Sequence, residues 1–404
     1  MDKKPEKLVP EVRFKGFTDD WEQHKLGETL TGFEYGLNTP ATDYDGINKY
    51  LRITDIDDVS HKFDISHLTS PKLKDDNYLL ANGDILFART GASVGKSYRY
   101  SNIDGKVYYA GFLIKAHIKD HFSTNFIFDT TLLPRYHYFV QVTSMRSGQP
   151  GINAKEYQKY IIYTPSESEQ NKISDLILTI QKLIDLQQRK LEQLKQLKKA
   201  MLQQLFVNKN NKQPNLRFKN FNGDWEERKL SDIANYRNGK AHEQYIDMNG
   251  IYTVVNSKFI STNGKVKKFS NEPIELLKKG EIAFVLSDVP NGKALAKAYL
   301  IDSDNKYSLN QRIAGISPSS DINSYFLYVL MNRNRYFLKF DDGVGQTNLS
   351  KKDIEEFKEN YPLFDEQQKI ANLFSQIQTL ISLQQNKHTQ LIALKKYLLQ
   401  KLFI

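Results

Sequence analysis

The chain has 404 residues, of which 40% are hydrophobic and 26% charged, and it contains no cysteine. This length allows two domains with separate cores, while the absence of cysteine excludes disulfides, thiolate metal sites and a cysteine nucleophile. The formal net charge of +10 favours a polyanionic partner such as nucleic acid. Since there is neither a signal peptide nor a run of about 20 apolar residues, we expect a cytoplasmic protein without membrane contact.

The N-terminal half of the sequence is repeated in the C-terminal half. Arg13-Phe14-Lys15 and Asp20-Trp21-Glu22 recur at an offset of 204, as Arg217-Phe218-Lys219 and Asp224-Trp225-Glu226. Later segments recur at an offset of 197, and Glu169-Gln170 returns as Glu366-Gln367. A period of about 200 residues indicates tandem duplication of a whole domain. Two similar units suit a partner with two similar parts, and duplex DNA is the leading candidate.

Residues 1–165 are predicted to form a first globule of mixed, strand-rich structure, because short apolar runs alternate with Gly, Pro, Asn and Asp. Residues 166–207 are predicted to form one helix, since apolar residues recur there in steps of three and four without an intervening Gly or Pro. A helix of about 40 residues would be roughly 60 Å long, which points to a coiled-coil partner.

The same order then repeats, with a linker at 208–214, a second globule at 215–362 and a second long helix at 363–404. The predicted fold is therefore α+β, with two similar globular mixed α/β domains joined by two long antiparallel coiled-coil helices. The predicted helix-pairing positions are Ile173, Ile180, Gln187, Leu194, Ile370, Ile377, Gln384 and Leu391. The two glutamines interrupt the apolar stripes near their midpoints. They could pair with each other and fix the register, or each could reach solvent.

Catalytic motifs are incomplete in this sequence. Gly91–Lys96 resembles a phosphate-binding loop, but three residues separate its glycines where that loop needs four. The alternative is a Gly-rich turn that presents a lysine. There is no Pro-Pro dipeptide of an amino-methyltransferase loop and no Pro-Asp dipeptide of a common nuclease motif, and the histidines lack zinc-ligand spacing. The sequence therefore favours a binding protein without its own catalytic or metal site.

Several predicted turns mix basic, amide and aromatic side chains, which can hold phosphates or read base edges. In the first copy these candidates for DNA binding are Arg52, Arg89, Thr90, Lys96, Tyr98, Arg99, Arg146 and Gln149. In the second copy they are Arg237, Asn238, Lys240, Asn256, Lys258, Lys293, Arg312, Gln346 and Asn348. For any one of them alone, a solvated surface position is the alternative, so the case rests on their recurrence in corresponding loops.

Almost the whole chain resembles the specificity subunit of type I restriction–modification systems. The resemblance is carried by Tyr50–Asp55, by Gly83–Lys96 and by the Glu-Gln-x-x-Ile sequence that begins each long helix, Glu169–Ile173 and Glu366–Ile370. The second copy departs from this pattern at Val285–Asp288, where Arg89 has no basic counterpart. Such divergence is expected if the two globules read different base sequences.

The resemblance implies that each globule is a target recognition domain for one part of a bipartite, asymmetric DNA site, with the long helices as a spacer. It implies three kinds of partner: double-stranded DNA, two copies of an adenine-N6 methyltransferase subunit that carries S-adenosylmethionine, and motor–nuclease (restriction) subunits. The chain itself would bind no cofactor and catalyse no reaction. The competing hypotheses are a coiled-coil scaffold without DNA specificity and a P-loop-like NTPase or nuclease.

Overall fold

The computed structural model describes residues 8–145, 148–207, 211–290 and 292–404, so Arg146 and part of the predicted linker lie outside the described residues. The chain forms two compact units. The first contains Met1–Gln188 together with Asn386–Ile404, and the second contains Arg189–Gln385. Each unit therefore consists of one globule and a segment from each of the two long helices.

The globule of the first unit is built on a four-stranded antiparallel sheet in the order β2-β9-β6-β7. Its strands are β1 (Glu22–Lys25), β2 (Leu30–Tyr35), β3 (Ala41–Asp43), β4 (Lys49–Leu51), β5 (Thr69–Pro71), β6 (Asp84–Ala88), β7 (Ser97–Arg99), β8 (Val107–Tyr109), β9 (Leu113–Ile118) and β10 (Ile161–Thr164). Its short helices are α1 (Thr124–Thr130), α2 (Pro134–Ser144) and α3 (Ala154–Tyr157). Strand β6 is buried along its whole length, as its uninterrupted apolar run requires.

Apolar layers cover both faces of this sheet. On one face Phe87 and Ile114 pack with α1, α2, the long-helix residue Ile173 and the C-terminal residues Leu402 and Phe403. The other face packs against the region around the parallel pair β4–β8. The globule and the ends of the long helices therefore share one core.

The second unit repeats this layout, with a sheet in the order β12-β20-β16-β18 and the parallel pair β13–β19. Its strands are β11 (Glu226–Lys229), β12 (Ala234–Asn238), β13 (Tyr252–Val255), β14 (Phe269–Ser270), β15 (Leu276–Leu277), β16 (Ile282–Val285), β17 (Ser287–Asp288), β18 (Ala298–Leu300), β19 (Tyr307–Leu309), β20 (Ile313–Pro318), β21 (Thr347–Asn348) and β22 (Lys358–Tyr361). The long helix α4 (Glu167–Leu205) precedes them. The remaining helices are α5 (Leu230–Ile233), α6 (Ser257–Ser261), α7 (Ser324–Met331), α8 (Arg335–Leu338), α9 (Lys351–Glu355) and the long α10 (Phe364–Lys401).

The long helices pack antiparallel within each unit, which confirms the predicted fold class. In the first unit the Lys395 ammonium of α10 donates to the Gln181 amide oxygen of α4 at 2.8 Å. In the second unit Lys198 of α4 donates to Gln378 of α10, also at 2.8 Å. In both units burial of the lysine lowers its pKa.

The predicted helix-pairing residues differ in burial. The four isoleucines, Ile173, Ile180, Ile370 and Ile377, are at most 5% exposed. The four residues nearer the middle of the helices, Gln187, Leu194, Gln384 and Leu391, are half-buried. The pairing of Gln187 with Gln384 stays a prediction.

The repeated sequence motif attaches each globule to its long helix. The Arg13 guanidinium donates two hydrogen bonds of 2.8 Å to the Glu169 carboxylate, which is buried at the start of α4. Next to it, the Gln170 side chain accepts from the Ser123 amide at 3.0 Å and donates to the Pro165 carbonyl at 2.9 Å. A buried carboxylate is tolerated only with a charged, hydrogen-bonded partner, so the arginine and the glutamate must be retained together.

The second unit makes the same contacts with its own copy of the motif. Arg217 donates to the buried Glu366 carboxylate at 2.9 and 2.8 Å. Gln367 accepts from the Asn323 amide at 2.9 Å and donates to the Pro362 carbonyl at 2.9 Å. The duplicated residues are therefore the ones that fix the geometry of the scaffold.

We predict that Glu169→Gln destabilises the first unit by about 3–5 kcal/mol, because it leaves the partly buried Arg13 guanidinium without a countercharge. The free energy of unfolding in urea would measure the loss. The control is Glu167→Gln, since this residue lies on the same helix turn but is exposed. Equal stability of the two variants would contradict a structural role for the ion pair.

Candidate nucleic-acid interface

Four loops meet at one end of the first unit's central sheet, and we call them the first rim. They are residues 35–38, 89–93, 110–112 and 148–153. Backbone hydrogen bonds join them: the Arg89 amide donates to the Phe112 carbonyl at 3.0 Å, and the Ile152 amide donates to the Arg89 carbonyl at 2.9 Å. The rim is thus a set of mutually bonded turns on a rigid sheet, the kind of position where binding residues concentrate.

The second unit has the equivalent set of loops, which we call the second rim: residues 238–241, 286–290, 310–312 and 344–348. The bonding is equivalent as well, since the Leu286 amide donates to the Arg312 carbonyl at 3.0 Å and the Leu349 amide donates to the Leu286 carbonyl at 2.8 Å. By this bonding pattern Leu286 occupies the place of Arg89, and Arg312 occupies that of Phe112.

A glycine is required at one point of each rim. A Cβ on Gly36 would lie 2.2 Å from the Ala110 carbonyl oxygen, and a Cβ on Gly239 would lie 2.0 Å from the Asn310 carbonyl oxygen. Backbone therefore packs directly on backbone where the first and third loops of each rim meet, and a side chain there would force the loops apart.

The first rim brings together three of the predicted DNA-binding residues, Arg89, Thr90 and Gln149. The Arg89 guanidinium lies 4.9 Å from the centre of the Tyr35 ring, a cation–π contact that orients it. Gln149 is exposed. Thr90 forms a β-bridge with the turn that contains Gln149.

Two exposed aromatic residues on this rim, Tyr35 at 45% and Phe112 at 59% exposure, were not among the predicted residues. Each of them is adjacent to a glycine at a strand end, and that was the available signal.

The second rim presents a different set of side chains on the same backbone. Gln346 donates to the Ser287 hydroxyl at 2.7 Å and to the Asn348 side chain at 3.3 Å. Arg312 is exposed and has a φ of 66°, a left-handed conformation that is uncommon outside glycine and clusters at functional sites. Asn238 is also exposed and accepts from the Tyr236 hydroxyl at 2.5 Å.

Two more of the predicted residues are Lys240, which is part of the second rim, and Lys293, which lies close to it. Lys240 is exposed and pairs with Glu275 at 3.0 Å. Lys293 is exposed.

The structure places four predicted DNA-binding residues in contacts within their own units, and their part in DNA binding stays a prediction. Tyr98 is a core residue, 2% exposed, that donates to Asp104 at 2.7 Å. The remaining three are held by neighbouring groups inside their own units. Arg52 is bound by both oxygens of Asp55 at 2.8–2.9 Å, Arg237 by both oxygens of Glu281 at 2.6 Å, and Asn256 caps α6 by accepting from the Phe259 amide at 2.9 Å.

Lys96 and Arg99 turn away from the first rim. The Lys96 ammonium lies 2.5 Å from the Asp58 carboxylate, and Arg99 donates to Asn125 of α1. After the Gly91–Ser93 turn the chain enters strand β7 and not a helix. Because a phosphate-binding loop needs the N-terminus of the following helix, this segment is not one. Lys258 is exposed, and Arg146 lies outside the described residues.

Neither metal ligation nor membrane insertion is indicated in the described part of the chain. Residues 8–145, 148–207, 211–290 and 292–404 contain no group of three His, Cys, Asp or Glu side chains that could hold a metal ion. Within the same ranges no helix has the length and apolar character needed to cross a membrane.

The first unit also contains a cavity of about 450 Å³ between its globule and the long helices. The cavity is lined by Arg99, His61, Lys395 and the buried Asp129, among others. Burial raises the pKa of Asp129 to about 7. The carboxyl is therefore largely protonated in mildly acidic solution and must accept a buried charge at higher pH.

Because the pKa of Asp129 is raised in the folded state, its carboxyl group stabilises the fold at low pH. This contribution to stability is lost as the pH rises through about 7. We predict that Asp129→Asn gains stability relative to the wild type between pH 5 and pH 8, by at most about 2–3 kcal/mol. Urea unfolding at the two pH values would measure the difference. The exposed Asp120, changed to Asn, is the control and should show no such gain; a pH-independent effect of Asp129→Asn would contradict the assignment.

A duplicated α+β scaffold with a rim of variable polar loops on each copy defines a class of two-domain recognition proteins. The sequence model of the type I restriction modification DNA specificity domain matches this chain twice, over residues 19–196 and 222–393. The chain therefore belongs to the type I restriction–modification specificity family. It is a DNA-recognition subunit and not an enzyme, and the resemblance found in the sequence is confirmed.

The chain is also similar to known proteins along almost its full length. The type I restriction enzyme MjaVIII specificity subunit of Methanocaldococcus jannaschii is 22% identical over 408 residues, covering 95% of this chain and 92% of that protein. The crystal structure of the type I S subunit from M. genitalium superposes with a TM-score of 0.67 at 14% identity, over 98% of this chain and 99% of that one. A second solved structure, described as the structural basis of complex assembly and conformational transition of the type I R-M system, superposes with a TM-score of 0.54 at 14% identity. The match covers 96% of this chain and 99% of that one.

Proposed function

We propose that this specificity subunit recognises a bipartite, asymmetric target in double-stranded DNA, with the first rim reading one half-site and the second rim the other. The observation that carries the proposal is the equivalence of the two rims. Their backbones are bonded alike, whereas the exposed side chains differ at corresponding positions. One scaffold with two sets of side chains is suited to reading two different sequences.

The side chains on the rims have the chemistry for this task. Arginine and lysine hold phosphates or read guanine, and glutamine and asparagine can bond adenine through two atoms. The exposed Tyr35 and Phe112 offer apolar faces for thymine methyl groups or unstacked bases. The first rim thus combines arginine, glutamine and aromatic side chains, while the second combines arginine with several amides.

The long helices would act as the spacer between the half-sites. Helix α4 has 39 residues and is therefore about 58 Å long. Because the same groove face of DNA recurs about every 34 Å, helices of this length can bridge recognition domains that bind about one turn apart.

We further propose that the helices dock two copies of an adenine-N6 methyltransferase subunit, joined for restriction by motor–nuclease subunits. Apolar residues remain exposed on the long helices in both units: Leu183, Leu186, Ile392, Leu394 and Tyr397 in the first, and Leu197, Leu380 and Leu383 in the second. Exposed apolar stripes of this kind suit a protein partner, and two similar stripes suit two similar partners. S-adenosylmethionine would be bound by the methyltransferase, so methylation would be directed by this chain and performed by its partner.

The decisive experiment is selection from a random duplex library by the chain in complex with its methyltransferase subunit, together with mapping of methylated adenines in the host genome. A two-part motif with a fixed gap is expected, and deletion of the gene should abolish methylation at it. Absence of any DNA preference would favour the coiled-coil scaffold.

We predict that Gly36→Ala impairs recognition of one half-site and Gly239→Ala recognition of the other, because each added methyl group would displace the loops of a single rim. Library selection with each variant would show relaxed preference in one half of the motif. Gly32→Ala is the control, since a Cβ there has no neighbour within 4 Å. Loss of both halves in a single variant would contradict separate reading by the two rims.

We also predict that one heptad inserted after Gln187 and one after Gln384 changes the length of the gap and leaves both half-site sequences unchanged. A heptad keeps the apolar stripe in phase while lengthening each helix by about 10 Å. The methylation map of a strain that carries the variant would measure the gap. Altered half-sites with an unchanged gap would rule out the spacer role.

A further inference from the structure

The two recognition domains differ in charge next to their rims. Residues 52–64 and residues 256–268 occupy equivalent places, since each segment directly follows the strand that pairs in parallel in the second layer, β4 with β8 and β13 with β19. The first segment contains four aspartates, one arginine and one lysine, whereas the second contains four lysines and no acidic residue. We call residues 256–268 the basic loop.

The basic loop is attached directly to the second rim. The Asn310 amide donates to the Val255 carbonyl at 3.1 Å, which joins the end of β13 to the rim. The Val254 amide donates to the Lys268 carbonyl at 2.8 Å, which holds the far end of the basic loop against the same strand. A nucleic acid seated on the second rim would therefore pass close to this loop.

The cations of the basic loop are free to bind an anion. All four lysines are exposed, and no ion pair joins any of them to a residue in the described part of the chain: Lys258, Lys265, Lys267 and Lys268. Arg312 on the adjoining rim and Lys293 next to that rim are exposed in the same way. Six cationic side chains thus surround one rim without a carboxylate partner among the described residues.

In the first unit the corresponding cations are already neutralised. Lys96 lies against Asp58, Lys62 against Asp185 and Arg52 against Asp55. The whole globules show the same difference, with 18 Lys and Arg against 19 Asp and Glu over residues 8–165, and 22 against 19 over residues 215–361. At these three positions of the first unit a phosphate would have to displace a carboxylate, whereas at the six positions of the second unit it would displace only loosely held solution ions.

We infer that the second recognition domain, through its basic loop, supplies most of the DNA-backbone affinity of this subunit, and that the first domain reads its half-site mainly through uncharged contacts. The inference rests on the proposed function, because it requires both rims to face DNA. Its ligand is the phosphate backbone that flanks the second half-site. Each lysine that neutralises a phosphate releases counterions and adds about 0.9 to the slope of log affinity against log salt concentration.

The test is the salt dependence of binding, measured by fluorescence anisotropy on a target duplex from 0.05 to 0.3 M salt with the chain in its methyltransferase complex. The variant is Lys265→Gln, Lys267→Gln and Lys268→Gln combined. We expect the slope to fall by about 2–3 and affinity at 0.1 M salt to fall at least about tenfold, with the recognised motif unchanged.

Two matched variants control this measurement. Lys62→Gln, Lys74→Gln and Lys106→Gln combined removes the same charge from the first globule, where each lysine is paired with an aspartate, and should change the slope by less than about 1. Replacing Lys265, Lys267 and Lys268 by arginine should retain the wild-type slope.

A fall in slope that is equal in the two glutamine variants, or larger in the first globule, would overturn the inference while leaving sequence recognition intact. A wild-type complex that shows no sequence preference at any salt concentration would instead refute the proposed function, and the inference with it.

Discussion

The architecture depends on a buried arginine–glutamate ion pair that is formed twice, once at the start of each long helix. Arg13 with Glu169, and Arg217 with Glu366, tie the N-terminal arm of each globule to the helix that follows it. Burial of the glutamate makes each pair obligatory, because the carboxylate alone would be desolvated and without a countercharge. Around it, the Gln170 and Gln367 side chains satisfy the backbone where the helix leaves its globule. These polar contacts, together with the apolar core that each globule shares with the long helices, hold the start of each helix against its globule.

The two copies of the duplicated domain contain two kinds of position, those that are the same in both copies and those that differ. Positions that hold the scaffold are the same in both copies, including the tryptophans at 21 and 225 and the glycines at 36 and 239. Positions on the rims differ, as Arg89 and Leu286 or Phe112 and Arg312 show. A recognition protein needs this arrangement, since the backbone must place side chains accurately while their identities remain free to change. The two globules also differ in charge, and we infer that they therefore differ in their contacts with the DNA backbone.

The sequence was sufficient for the architecture and insufficient for the interface. The internal repeat and the apolar stripes predicted two globules and two long helices because both signals are periodic and extend over many residues. The rims were located through their turn residues, yet Tyr35 and Phe112 were missed, because a neighbouring glycine was the only sign in the sequence that these two aromatic residues stay exposed. The contacts of Arg52, Arg237 and Tyr98 with Asp55, Glu281 and Asp104 become visible only in three dimensions. Whether a basic residue in a turn is paired depends on a carboxylate that can lie far away in the sequence.

The core of the first globule is completed by the far end of the chain. Leu399, Leu402 and Phe403 pack into it, and the Phe403 ring lies 4.9 Å from Phe126 and 6.3 Å from Trp21. During synthesis the first globule therefore keeps an exposed apolar face until some four hundred residues have been made. The second globule can complete its core earlier. The order of folding would then run opposite to the order of translation, and a nascent chain of this subunit would depend on chaperones longer than its size alone suggests.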